Sequence, residues 1–361
     1  MENRFFIALI VLSFVVMACK KENPVLPSSS RSYRMGFQNS APRFDDINLF
    51  VQSLQIWTPK SDAAIITTEV PWDSIFAGRS IENYVINNYK ALVDFYRSKN
   101  LKLWVYIDPQ NGLNRTSDAR ELVTLGKSIA LPEVQKVYRR FVIVMDSILR
   151  PDHLGLALET NLIRAASSVE IYKGVKKAAN EAAIELRKRN PSVKLSISVQ
   201  VDYAWGRLIG NGTYVGIEQD FIDFPFIEEL GLSSYPYFDF SKPEDIPLDY
   251  YSRLKEGKSI PVFVTEGGWP SQSFTGPAQK MILSNVKTQQ AYISRQSQLL
   301  DKAQATAVFQ LTFTDIDLTS LPSFVHPNIS NFAYLGLVDI KLKSKPGFDT
   351  WVNLFGRTLK E

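Results

Sequence analysis

Between residues 33 and 311 the chain switches repeatedly from short apolar runs suited to β-strands to longer stretches with helical spacing. The runs fall at 33–38, 63–68, 102–107, 154–158, 194–199, 230–234, 262–265 and 305–311. Between them, segments 81–97, 132–149, 168–189 and 279–303 place apolar residues at three- and four-residue steps opposite charged faces, and 45–53 is a shorter segment of the same kind. Alternating β and α units with near-continuous apolar strands predict a parallel sheet covered by helices. Eight such units predict closure into a (β/α)8 TIM barrel forming one domain over residues 33–361. An open doubly wound sheet is the competing architecture. It normally carries a glycine-rich turn after the first strand, whereas here Asn39-Ser-Ala-Pro-Arg43 follows it. No GxGxxG or GxxxxGK[ST] motif stands at a strand-to-helix turn, so nucleotide binding has no support.

The N-terminus has a different logic. Arg4 precedes an uninterrupted apolar run from Phe5 to Ala18, too short to span a bilayer comfortably, and then comes Cys19, the only cysteine. Val16-Met-Ala-Cys19 resembles the lipobox of bacterial lipoproteins, in which cleavage before the cysteine exposes a thiol that carries lipid. The resemblance implies a signal peptide over 1–18, lipidation at Cys19, a Pro/Ser tether over 19–32, and a place in the bacterial cell envelope. With the sole cysteine so used, there is no disulfide framework and no thiolate metal site. A net charge of +4 over 361 residues gives no reason to expect a nucleic-acid partner. The chain is expected to act as a monomer without cofactor or metal. Aromatic residues at 12% suit a large core with rings left over to line a cleft.

In a closed barrel the active site forms at the carboxyl ends of the strands, so polar residues just after each apolar run are the candidates. Those ends carry Gln38, Glu69 with Trp72, Asp108, Glu159 with Asn161, Asp202 with Trp205, Tyr235 with Tyr237, Glu266 with Trp269, and Thr312 with Asp315 and Asp317. Carboxylates, amides and aromatics thus converge on one rim. This is the chemistry of glycoside hydrolysis, where one carboxylic acid protonates the leaving oxygen and a second carboxylate attacks the anomeric carbon or activates water. Glu159 and Glu266, ending the fourth and seventh strands, are the chosen pair. Trp72, Trp205 and Trp269 are candidate stacking platforms for sugar rings, and Asp108 a candidate for binding hydroxyls.

The stretch Ile260-Pro-Val-Phe-Val-Thr-Glu266-Gly-Gly-Trp-Pro-Ser271 resembles the nucleophile strand of the retaining (β/α)8 glycosidases, closest in look to arabinogalactan endo-β-1,4-galactanases and plant-type β-1,3-glucanases. Leu230-Gly-Leu-Ser-Ser-Tyr-Pro-Tyr237 is similar to the sixth strand of the galactanases. The resemblance implies Glu266 as nucleophile, Tyr235 as the residue that orients it, and Glu159 as acid/base, protonated at rest while Glu266 stays ionised. Two departures stand out. Leu158 precedes Glu159 where those enzymes usually have an asparagine, leaving Asn161 as the amide nearest in sequence, and Gln310-Leu-Thr-Phe313 replaces an expected tryptophan on the eighth strand. Two readings result: a retaining glycosidase acting on an extracytoplasmic carbohydrate, and a carbohydrate-binding lipoprotein on a decayed glycosidase barrel.

Overall fold

A computed structural model describes residues 29–208 and 212–360. The expected signal peptide, Cys19 and most of the expected tether lie outside the described residues. Eight parallel strands close into a barrel: β1 (Arg34–Gln38), β2 (Ala63–Glu69), β3 (Lys102–Asp108), β4 (His153–Gly155), β5 (Lys194–Gln200), β6 (Glu229–Ser234), β7 (Val262–Gly267) and β8 (Ala307–Gln310). Neighbours in sequence are neighbours in the barrel, and β8 pairs with β1 to complete it. The (β/α)8 architecture read from the sequence is the one found.

Two cores hold the barrel. One fills its interior with Ala63, Ile65, Trp104, Tyr106, Leu158, Phe263, Ala307 and Phe309, contributed by alternate residues of several strands. The other lies between the strands and the surrounding helices, of which Pro132–Leu149, Val169–Arg189 and Val286–Ala303 are the longest. The helical segment after β2 runs from Ile81 to Ser98 and contains one π-type stretch, Ile86–Lys90. No long helix connects β6 to β7; that connection is built from short 3-10 turns carrying Tyr250 and Tyr251, both fully buried.

The helix expected over 279–303 starts later. Gln272–Thr275 and Met281–Asn285 form an antiparallel hairpin above β7, and Asn285 then caps the helix by accepting from the N–H groups of Lys287 and Thr288. At the base of the barrel, Ser30–Arg31 pairs with Thr358–Leu359, and Arg31 forms a partly buried salt bridge to Asp62 at 2.6 Å. The chain therefore enters the barrel at the strands' amino ends, opposite the rim where the candidate residues gather.

Candidate active site

The fourth strand delivers its glutamate by an unusual backbone. Beyond Gly155 the chain still bonds to β5, through Leu156 N–H to Ser196 O and Ser198 N–H to Ala157 O, each at 3.0 Å. Glu159 then takes a left-handed conformation, φ 49° and ψ 45°, and its N–H donates to Ser198 Oγ at 3.0 Å. Such a conformation costs roughly 1–3 kcal/mol in a residue with a side chain, and it persists because helix Thr160–Ala166 starts at once from it. On β7 the pairing with β6 slips between Val264 and Glu266, which sets Glu266 opposite Ser233.

Ser233 joins the two carboxyl groups. Its Oγ lies 2.6 Å from Glu159 Oε1 and 2.9 Å from Glu266 Oε1. The two carboxyl oxygens are thus no farther apart than these contacts laid end to end. So close an approach suits a retaining pair, at roughly 5–5.5 Å, better than an inverting pair, which begins at roughly 6.5 Å. A hydroxyl has one proton to donate, so both contacts are hydrogen bonds only when one carboxyl is protonated and donates to Ser233 in turn.

Arg115 lies against one member of this pair. It comes from the hairpin Gln110–Asn111 and Asn114–Asp118, which folds back over the rim after β3. Its Nε donates to Glu159 at 2.9 Å and its Nη1 to Asp108 at 2.6 Å, with all three side chains buried. Burial disfavours the guanidinium's charge, but the two carboxylates outweigh it and hold the pKa above its ordinary value. Glu266 has no such cation in contact. Burial, then the charge of Glu159, pushes its carboxyl up to about 7. The two carboxyl groups, bridged by Ser233, form one coupled pair, and burial together with the Glu159 charge opposes the ionisation expected of Glu266. Burial also raises Asp108, in spite of Arg115. Tyr235 is buried against Glu266, whose charge adds to burial in keeping the phenol protonated and able to donate.

These groups line a cavity of about 670 Å³ at the carboxyl ends of the strands, with Glu69, Asp108, Arg115, Glu159, Tyr235 and Glu266 on its walls. Glu69 accepts from Gly112 N–H at 3.0 Å, and burial together with the Asp108 charge raises its pKa. Beneath the rim Asp202 accepts from Tyr235 N–H at 3.1 Å and from Gln200 Nε2 at 2.9 Å, and it also bonds the Tyr250 hydroxyl. It braces two residues of the cavity without lining it.

Four residues expected to touch substrate stand elsewhere. Asn161 is fully buried and spends its amide on the backbone of Gln200, donating at 2.9 Å and accepting at 2.8 Å. Trp269 packs against Tyr292 and donates to Ser284 Oγ at 3.0 Å. Trp205 packs against Tyr250 and donates to its carbonyl at 3.0 Å, while Trp72 is wholly enclosed. Large rings at the rim gain more from burial than from exposure. The aromatic wall of the cavity is made instead by Tyr235, Phe238 and Phe332, with Phe332 5.0 Å and Phe238 6.4 Å from the Tyr235 ring. Arg115, Ser233, Phe238 and Phe332 are the site residues that sequence reading passed over.

No family model and no curated protein matches the chain. Solved structures do. A GH5_18 protein from Bifidobacterium longum in complex with Manβ1-4GlcNAc matches with a TM-score of 0.60 at 14% identity, covering 90% of this chain and 78% of that one. The exo-β-1,4-mannosidase Op5Man5 from Opitutaceae bacterium strain TAV5 gives 0.61 at 15%, with 90% of this chain covering 59% of the mannosidase. A family 1 β-glucosidase from Thermotoga maritima gives 0.62 at 12%, with 87% of each chain covered. At such identities the likeness is one of architecture, and what it establishes is that this chain has the (β/α)8-barrel fold of these glycoside hydrolases.

Proposed function

We propose that this protein is a retaining glycoside hydrolase acting on a carbohydrate outside the cytoplasm, with Glu266 as nucleophile and Glu159 as acid/base. The observation that carries the reading is the pair of buried carboxyl groups, one beyond β4 and one on β7, sharing the Ser233 hydroxyl. Double displacement needs one carboxyl protonated and its partner ionised. A pair that holds a single proton near neutral pH meets that need, and the two groups titrate as a unit. Ser233, in contact with both, passes the proton between them, and the reactive arrangement has it on Glu159.

Glu159 then gives the proton to the glycosidic oxygen as Glu266 attacks the anomeric carbon, forming a glycosyl ester and releasing the leaving alcohol. Water attacks the ester with Glu159 now taking its proton, and the sugar leaves with its configuration retained. Arg115 orients Glu159 and Asp108, and Tyr235 donates to Glu266 as its charge returns. The neighbouring folds belong to proteins named as mannosidases and glucosidases, so β-mannosides and β-glucosides join β-galactosides as substrates to try.

One observation favours the second reading, a carbohydrate-binding barrel without turnover. Leu158 is buried in the barrel interior and Asn161 is tied to Gln200, so neither supplies an amide to the cavity beside Glu159. Assay of the purified protein on β-linked galactans, glucans, mannans and aryl glycosides separates the two. Hydrolysis is expected, falling by about 10²–10⁴-fold or more in Glu159→Gln and in Glu266→Gln. Binding without release of sugar would favour the second reading, and release that survives both substitutions would contradict the roles given to Glu159 and Glu266.

A further inference from the structure

On one side the loops above the cavity are joined into a wall. The segment after β8 leaves Asp317 paired with Arg43 at 2.6 Å, in the loop after β1. It then crosses to the hairpin after β3, where Asn328 Nδ2 donates to Leu113 O at 2.8 Å and Arg120 Nη1 to Phe324 O at 3.0 Å. Further on, Tyr237 in the loop after β6 donates its hydroxyl to Asn331 O at 3.1 Å, and Lys280 in the hairpin after β7 reaches Phe238 O at 2.5 Å. Loops from β1, β3, β6, β7 and β8 are thus linked into one wall, with Leu113, Asn328, Asn331 and Phe332 facing the cavity. Over β4 and β5 the described lining consists of Leu162 and Ala166 of the helix after Glu159, and Leu208. Glu159, which must stand beside the leaving oxygen, is on that other side.

The charge of the cavity is equally one-sided. Glu69, Asp108, Glu159 and Glu266 line it, and the guanidinium of Arg115 is spent on Asp108 and Glu159. Among the described lining residues a ligand carboxylate would meet carboxyl groups and no cation other than Arg115.

We propose that the cavity is a blind pocket for a single uncharged sugar at a non-reducing end, walled by the loop after β8, with the leaving group passing out beside Glu159. The inference rests on the glycosidase reading and narrows it to chain-end action on neutral glycosides. An open groove would let a polysaccharide run past the carboxylates in both directions; the links from Leu113 to Asn328 and from Asn331 to Tyr237 bar one of them.

The test uses the whole protein with reducing-end-labelled β-linked manno-, gluco- and galacto-oligosaccharides, and with 4-nitrophenyl β-glycosides of the same sugars and of glucuronic acid. The expected result is stepwise loss of one sugar at a time from the non-reducing end. The glucuronide should be cleaved at least about 100-fold more slowly than the best neutral glycoside, the scale of a buried charge left unpaired. Early products from mid-chain cleavage, or a glucuronide cleaved as well as the neutral sugars, would overturn the pocket while leaving the glycosidase reading standing, provided they vanish in Glu266→Gln. No Glu266-dependent release from any of these substrates would overturn both.

Discussion

At Glu266, burial and the charge of Glu159 act in the same direction, and the consequence reaches beyond catalysis. The unfolded chain ionises this carboxyl near 4.5, whereas the folded protein keeps the proton up to about 7. Its contribution to stability is therefore full below pH 4.5 and is lost as the pH rises to 7, by about 3 kcal/mol. Glu266→Gln removes that loss while keeping the shape. The variant should melt close to the native protein at pH 4.5 and clearly above it at pH 8; equal melting temperatures at both pH values would show that Glu266 is not held neutral. Both glutamates were legible in the sequence because each follows an apolar run at the expected strand end. Ser233 was not, since a serine inside an apolar strand has no pattern of its own. Arg115 lies in a polar hairpin without periodicity, and only the fold brings it back onto Asp108 and across to Glu159. The tryptophans misled for a related reason: sequence places a ring at the rim but does not show which way it turns.

Among the elements, the strands were the most legible because alternation of apolar runs dictates them, and the connections were the least. Apolar residues Ile282 and Leu283 fit the helical spacing of Val286–Ala303, yet they belong to the hairpin above β7, where Leu283 is 73% exposed. The barrel interior depends on a pairing of large with small that no spacing reveals. Tyr106 on β3 crosses the interior and bonds Ser196 Oγ at 2.7 Å and Ile197 O at 3.2 Å, so its ring is fixed at both ends. A Cβ on Gly155 would lie 2.2 Å from that ring, and one on Gly231 2.5 Å from its hydroxyl. Gly155→Ala is expected to cost about 1–3 kcal/mol, read as a lower urea midpoint at unchanged slope. An unchanged midpoint would mean that the ring moves aside freely.

For the molecule as a whole, the Ser30–Arg31 strand and the cavity lie at opposite ends of the barrel. Ser30–Arg31 docks beside Thr358–Leu359 at the base, so a chain held by lipid at Cys19 would present the Glu159–Glu266 rim away from the membrane. That placement is a proposal with its own check: Cys19→Ser expressed in a bacterium should move from the membrane to the soluble fraction and lose incorporation of labelled fatty acid. A native protein that is already soluble and unlabelled would contradict it. The central claim, covalent catalysis by Glu266, is tested most directly by mass. The whole protein is incubated with 2-deoxy-2-fluoro-β-glycosyl fluorides of gluco, manno and galacto configuration, then digested and mapped. Time-dependent loss of activity with one fluoroglycosyl group on the peptide containing Glu266 is the predicted result; turnover of glycosides with the label on Glu159, or with no covalent adduct at all, would contradict it.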